Sequence, residues 1–200
     1  MTEAHLGRLL PACLHQAISD VMPDRLEYYE EWLPPDGLRD GSIGIAPVSA
    51  VLGFLRTEGN AYRDVMFRAG TLAATWTVAT LAPFQRRFGA SLPLTFRAKF
   101  ALRLTRRIVK DVLTTSSAST RLRRGTATIS ISSSLFCSVR QPQSRPLCDF
   151  YAALAVETLR SFDVAAESRL ESCRAMQDGP CVVILTIGGA AHASEPAQAA

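Results

Sequence analysis

The apolar residues of this chain change period once, near residue 113, and that change limits the folds open to it. Before it they recur at three- and four-residue spacing, the mark of amphipathic helices. Leu6 to Met22 reads as a helix interrupted near Pro11 and stopped by Pro23. Pro34-Pro35-Asp36-Gly37 signals a turn, and Pro47 suits the first turn of a helix reaching about Arg56. Two longer helices follow, from about Ala61 to Leu81 with Gly70 inside it, and from Pro93 to Leu113. After that Thr114 to Arg124 reads as a loop, and Gly125 to Cys137 alternates apolar and polar residues as a half-buried strand does.

Asp149 is placed to cap a helix from Phe150 to Ser161. Val164 to Cys173 and Cys181 to Ile187 are short extended runs, and Asp178-Gly179 between them supplies the turn of an antiparallel hairpin. Helices followed by strand, helix, strand, strand predict an α+β fold, with N-terminal helices packed on a small antiparallel sheet that has one inter-strand helix. At 200 residues the chain is expected to be a single domain over 1–187, with a helical half over 1–113 and a strand-rich half over 125–187. The stretch 188–200 is predicted to be a disordered tail.

The net charge is +4, and the excess comes almost entirely from arginine, since lysine occurs only at Lys99 and Lys110. That balance suits an anionic ligand or acidic headgroups, but it is too sparse for a nucleic-acid module, so no nucleic-acid partner is expected. On the Pro93 to Leu113 helix, Lys99, Arg103, Arg106, Arg107 and Lys110 share one face. Neither a secretory signal nor an apolar stretch of bilayer length is legible, so the expected location is cytoplasmic. His5, His15 and His192 group with no Ser/Asp pair as a hydrolase triad would.

Four of the five cysteines, Cys137, Cys148, Cys173 and Cys181, crowd into the last third. Cys148 begins a helix, while Cys173 and Cys181 close the two ends of the predicted hairpin loop. Two residues apart along a strand, Glu171 and Cys173 should share a face. Three thiolates and a carboxylate form a chemically sensible tetrahedral set for zinc. The spacing matches no finger or ribbon, so a redox pair and buried packing stand beside the metal reading. Cys13 reads as packing.

Over 137–187, Cys137, the Pro-bounded loop after it, Arg145-Pro-Leu-Cys148-Asp-Phe-Tyr-Ala-Ala153 and Glu171-Ser-Cys173-Arg-Ala-Met-Gln-Asp-Gly179-Pro-Cys181 resemble the closing half of a 4-vinyl reductase domain. Cys-Asp-Phe-Tyr-Ala-Ala points to the branch assigned to bacteriochlorophyll 4-vinyl reduction. The resemblance implies a fold like that of small subunits of the transport-protein-particle (TRAPP) tethering complexes. It also implies binding of a small apolar molecule and, as in sensor relatives, a zinc ion on Cys148, Glu171, Cys173 and Cys181. This chain has one residue fewer between the glutamate and the next cysteine than the zinc-binding relatives have.

Reduction of a vinyl group needs an electron donor. The chain carries no nicotinamide or flavin motif, because Gly41-Ser-Ile-Gly44 lacks the third glycine and the strand–helix context of a dinucleotide fingerprint. The expectation is therefore an accessory, substrate-binding protein of bacteriochlorophyll biosynthesis that takes a chlorophyllide-type tetrapyrrole. Phe67, Trp76, Phe84, Phe96 and Phe100 are its candidate lining, and Arg103 and Arg107 its candidate propionate partners. The alternative is a zinc-stabilised, non-enzymatic sensor or scaffold that takes another apolar ligand or a protein. A membrane surface, a pathway enzyme and a second copy of the chain are the remaining candidate partners.

Overall fold

The computed structural model describes residues 5–85, 92–139 and 141–188. The helical half contains α1 (Leu9–Val21), α2 (Leu26–Glu30), α3 (Pro35–Asp40), α4 (Ile45–Thr57), α5 (Asn60–Thr80) and α6 (Leu94–Val112). The second half contains β1 (Ser117–Arg123), β2 (Thr126–Ser132), α7 (Asp149–Arg160), β3 (Ala165–Ser172) and β4 (Cys181–Gly188). This is the α+β arrangement read from the sequence, with α7 between β2 and β3. The expected tail beyond Gly188, with His192, lies outside the described residues, as do residues 86–91.

Five local expectations change. Pro11 does not interrupt α1, because it sits in the first turn, where a missing N–H breaks no helical bond. Pro35 starts the short helix α3 rather than a bare turn, and Gly41 ends that helix at φ +69°. The segment read as a loop from Thr114 contains strand β1. Arg124 and Gly125, both at positive φ, join β1 to β2 as a two-residue hairpin loop, a geometry that glycine supplies without strain. The strand read from Gly125 to Cys137 stops at Ser132, and a 3-10 turn follows at Leu135–Cys137. Cys148, not Asp149, occupies the N-cap of α7.

All four strands pair antiparallel in the order β1-β2-β4-β3. The chain leaves β2, crosses through α7 to the far edge, and returns along β4 into the gap. Ala127, Ile129 and Ile131 of β2 and Cys181, Val183 and Leu185 of β4 are buried on one face, while Thr128 and Ser130 face the other way. Helix α7 is the centre of the molecule. It packs against α5 and α6 and against β3, which is why it is apolar nearly all round, with Phe150, Leu154 and Leu159 fully buried.

Gly70 sets how closely α5 approaches α7. A Cβ there would collide with the Phe150 carbonyl oxygen and stand 3.0 Å from the Ala153 methyl. One contiguous core joins both halves, from Leu10 and Ile18 of α1 to Val183 of β4.

Candidate metal centre

The sheet register carries the late cysteines to one end of the fold. Cys181 opens β4 opposite Ile131 of β2, so the chain leaving β2 delivers Cys137 to the same end. Cys148 heads α7 above it. In β3, Leu170 pairs with Val183 but Ser172 with Val182, so Glu171 is an extra residue bulged out of the ladder. That bulge and the end of the strand after Ser172 break the two-residue period. Cys173 turns inward while Glu171 stays exposed.

The four sulfurs converge. Cys137 Sγ lies 3.1 Å from Cys148 and 3.4 Å from both Cys173 and Cys181, and Cys148 lies 3.1 Å from Cys173. All four fall within 4.8 Å of one another and are buried. These separations are too long for any disulfide. A zinc–sulfur bond of about 2.3 Å implies a tetrahedron with sulfur–sulfur edges of about 3.8 Å, so the sulfurs now 3.1–3.4 Å apart would open by roughly half an ångström around the ion. A four-iron cubane sets its cysteine sulfurs on outer corners, much further apart. The residues therefore fit a single tetrahedral ion.

The four thiols differ in acidity with their place in the cluster. The Cys173 thiol is held well below its ordinary range, because the thiols of Cys137, Cys148 and Cys181 all hydrogen-bond to it. Cys148 is pushed up by its bonds to the same neighbours and by burial. Burial withholds water from all four thiols. Two backbone amides point at sulfur, from Leu147 to Cys173 and from Arg174 to Cys181, each at 3.4 Å. Such donors orient thiolate ligands and spread their charge. The Tyr62 hydroxyl donates to the Leu147 carbonyl at 3.0 Å, tying the Cys148 segment to α5.

Of the ligand set that the resemblance implies, Cys148, Cys173 and Cys181 come together and Glu171 does not. Its carboxylate pairs with Arg169 at 2.7 Å instead. Cys137 takes the fourth position. Its signal was present in the sequence, at the end of an alternating run and eleven residues before Cys148, but nothing local marked the turn that aims it inward.

The proposed ligand residues do not form one site. Phe67, 54% exposed, lines a cleft of about 540 Å³ with Arg63, Arg145, Asp149, Arg169 and Leu170. The cleft opens beside the Cys148 segment. Burial pushes the Asp149 carboxyl up, and Arg63, 3.5 Å away, opposes it. Arg103 and Arg107 line a separate groove. Trp76 packs against the core, and Phe100 stacks edge-on with Phe162 at 5.0 Å. Phe84 and Phe96 are exposed, at 70% and 56%. The arginines that share a cleft with exposed Phe67 are Arg63, Arg145 and Arg169, which spacing alone did not single out. Among the described residues no helix is long and apolar enough to cross a membrane.

The sequence matches no protein-family model and no curated protein.

Proposed function

We propose that this chain is a zinc-stabilised binding module of the 4-vinyl reductase kind, in which Cys137, Cys148, Cys173 and Cys181 hold the ion. The convergence of four buried thiols carries this reading. Four sulfur ligands fill a tetrahedral zinc and leave no position for substrate, so the centre is structural and not catalytic. Bound zinc would supply a cross-link between the open end of the sheet and the start of α7. The chain's own groups prepare that link through the two amide donors to sulfur and the Tyr62 bond.

The cleft beside the centre is the binding site. Phe67 and Leu170 offer apolar contact, and Arg63 and Arg145 offer forked donors to a carboxylate, with the buried Tyr62 ring beneath the Arg145 guanidinium. An apolar body with an acidic arm fits that lining, which supports a chlorophyllide-type tetrapyrrole delivered to, or held for, 4-vinyl reduction by a separate electron-carrying enzyme. A sensor or scaffold that takes a different apolar acid is the alternative, and it shares the same centre and cleft.

Two measurements test the parts separately. Elemental analysis of the purified chain is expected to find one zinc per chain, and iron and acid-labile sulfide in its place would overturn the centre. Titration with chlorophyllide is expected to shift its absorption to the red. Replacing Phe67→Ala together with Arg63→Gln is expected to weaken that binding by about tenfold or more, the scale of one lost charge-assisted bond. No spectral change in a zinc-loaded protein would remove the tetrapyrrole and leave the sensor or scaffold.

A further inference from the structure

Helix α6 buries one side and leaves the other bare. Ala98, Ala101, Leu102, Leu104, Ile108 and Val109 enter the core. On the opposite side Lys99, Arg103, Arg106, Arg107 and Lys110 are all exposed. Phe96 belongs to this same side: at 100° per residue it falls with the five cations in an arc of about 100°, along a strip about 21 Å long. Lys99 holds its ammonium 5.6 Å from the centre of the Phe96 ring.

Cations three and four apart on a helix repel one another, and this strip has five such pairings. Among the described residues one acid pairs with the strip, Asp111 with Arg107 at 3.7 Å, both exposed. Arg106 donates to the Ala118 carbonyl at 3.0 Å, which holds its guanidinium against the start of β1. Between α6 and that strand start lies a groove of about 480 Å³, where Arg103, Arg106, Arg107 and Lys110 face Thr114 and Ser117. Cations backed by hydroxyls are the donor set that a phosphodiester takes.

We infer that this face seats the protein on a bilayer surface rich in anionic phospholipid, with a headgroup phosphate in the groove and Phe96 in the interfacial layer. Charge complementarity selects an anionic partner. Phe96 selects lipid over a duplex, because an exposed phenyl ring gains from the boundary between headgroups and acyl chains and gains nothing from a phosphate backbone. The seat is independent of the metal centre and of the cleft, since neither contributes a residue to it.

The experiment is cosedimentation of the full chain, as purified, with vesicles of phosphatidylcholine alone or mixed with phosphatidylglycerol, at low and high salt. The expected result is partition into the mixed vesicles only, falling as salt rises. Arg103→Gln with Arg107→Gln should lower partition by about 25-fold, given about fivefold for each cation near such a surface. Arg103→Lys with Arg107→Lys should retain it, and Phe96→Ser should lower it several-fold. All three positions are solvent-facing, so the variants are expected to keep the wild-type circular dichroism. Equal partition into neutral vesicles, no partition into either kind, or an unchanged Gln pair would overturn the inference. So would displacement by duplex DNA coupled with an unaffected Phe96→Ser variant, which would assign the strip to a polyanion.

Discussion

Cys137 and Glu171 show how a single residue's role turns on its neighbours along the chain. Both lie close to other cysteines in sequence, yet the bulge at Glu171 pushes one carboxylate into solvent while a 3-10 turn aims one thiol into the cluster. Cys137→Ser is therefore expected to weaken zinc retention by more than tenfold, and Glu171→Gln to leave it unchanged, as read by competition with a chromophoric chelator. Equal losses in the two variants would restore the glutamate as a ligand. Tyr29 belongs to the same scale. Burial, with Glu58 beside it, raises its hydroxyl to about 12. Its folded form keeps a proton that the unfolded chain releases near pH 10, so stability should fall as pH rises from about 10 to 12. Tyr29→Phe should flatten that part of the denaturation-midpoint profile.

The pairing of elements depends on close approach more than on propensity. Helix α5 can lie against α7 because Gly70 has no side chain where the Phe150 carbonyl passes. Gly70→Ala should gain a little helix propensity but force the two helices apart, for a net loss of about 1–3 kcal/mol. A chain of this size would then melt several degrees lower in calorimetry. A melting point equal to or above wild type would mean that the helices separate freely. The glycine was visible in the sequence as an oddity inside a long helix, but the partner it admits was not. Strand β1 shows the same limit. Its Ser/Thr-rich start hid an edge strand, and the Arg124-Gly125 pair that closes its hairpin was the missed signal.

At the scale of the molecule, the centre ties together the exit of β2, the start of α7 and the β3–β4 connection. Structural zinc sites contribute on the order of 10 kcal/mol to folding in small peptides, but here the four cysteines are one end of a much larger apolar core that reaches back to Leu10 and Ile18 of α1. Stripping the metal with a chelator should therefore lower the melting temperature without unfolding the helical half. Hydrogen exchange should speed up in 137–148 and 173–181 and stay slow in α1 and α5. Uniform acceleration across the chain would show that the two halves unfold together.

The switch of period near residue 113 was enough to determine the α+β class, the long helices and the core face of β2, because each depends on residues a few positions apart. Cysteine placement likewise pointed to a centre late in the chain. Tertiary structure alone decided that the fourth member of the cluster is a sulfur and that Phe67 shares a cleft with Arg63, Arg145 and Arg169 rather than with Arg103 and Arg107. Those outcomes rest on sheet register, a one-residue bulge and helix-to-helix distance, which are settled by pairings between segments far apart along the chain.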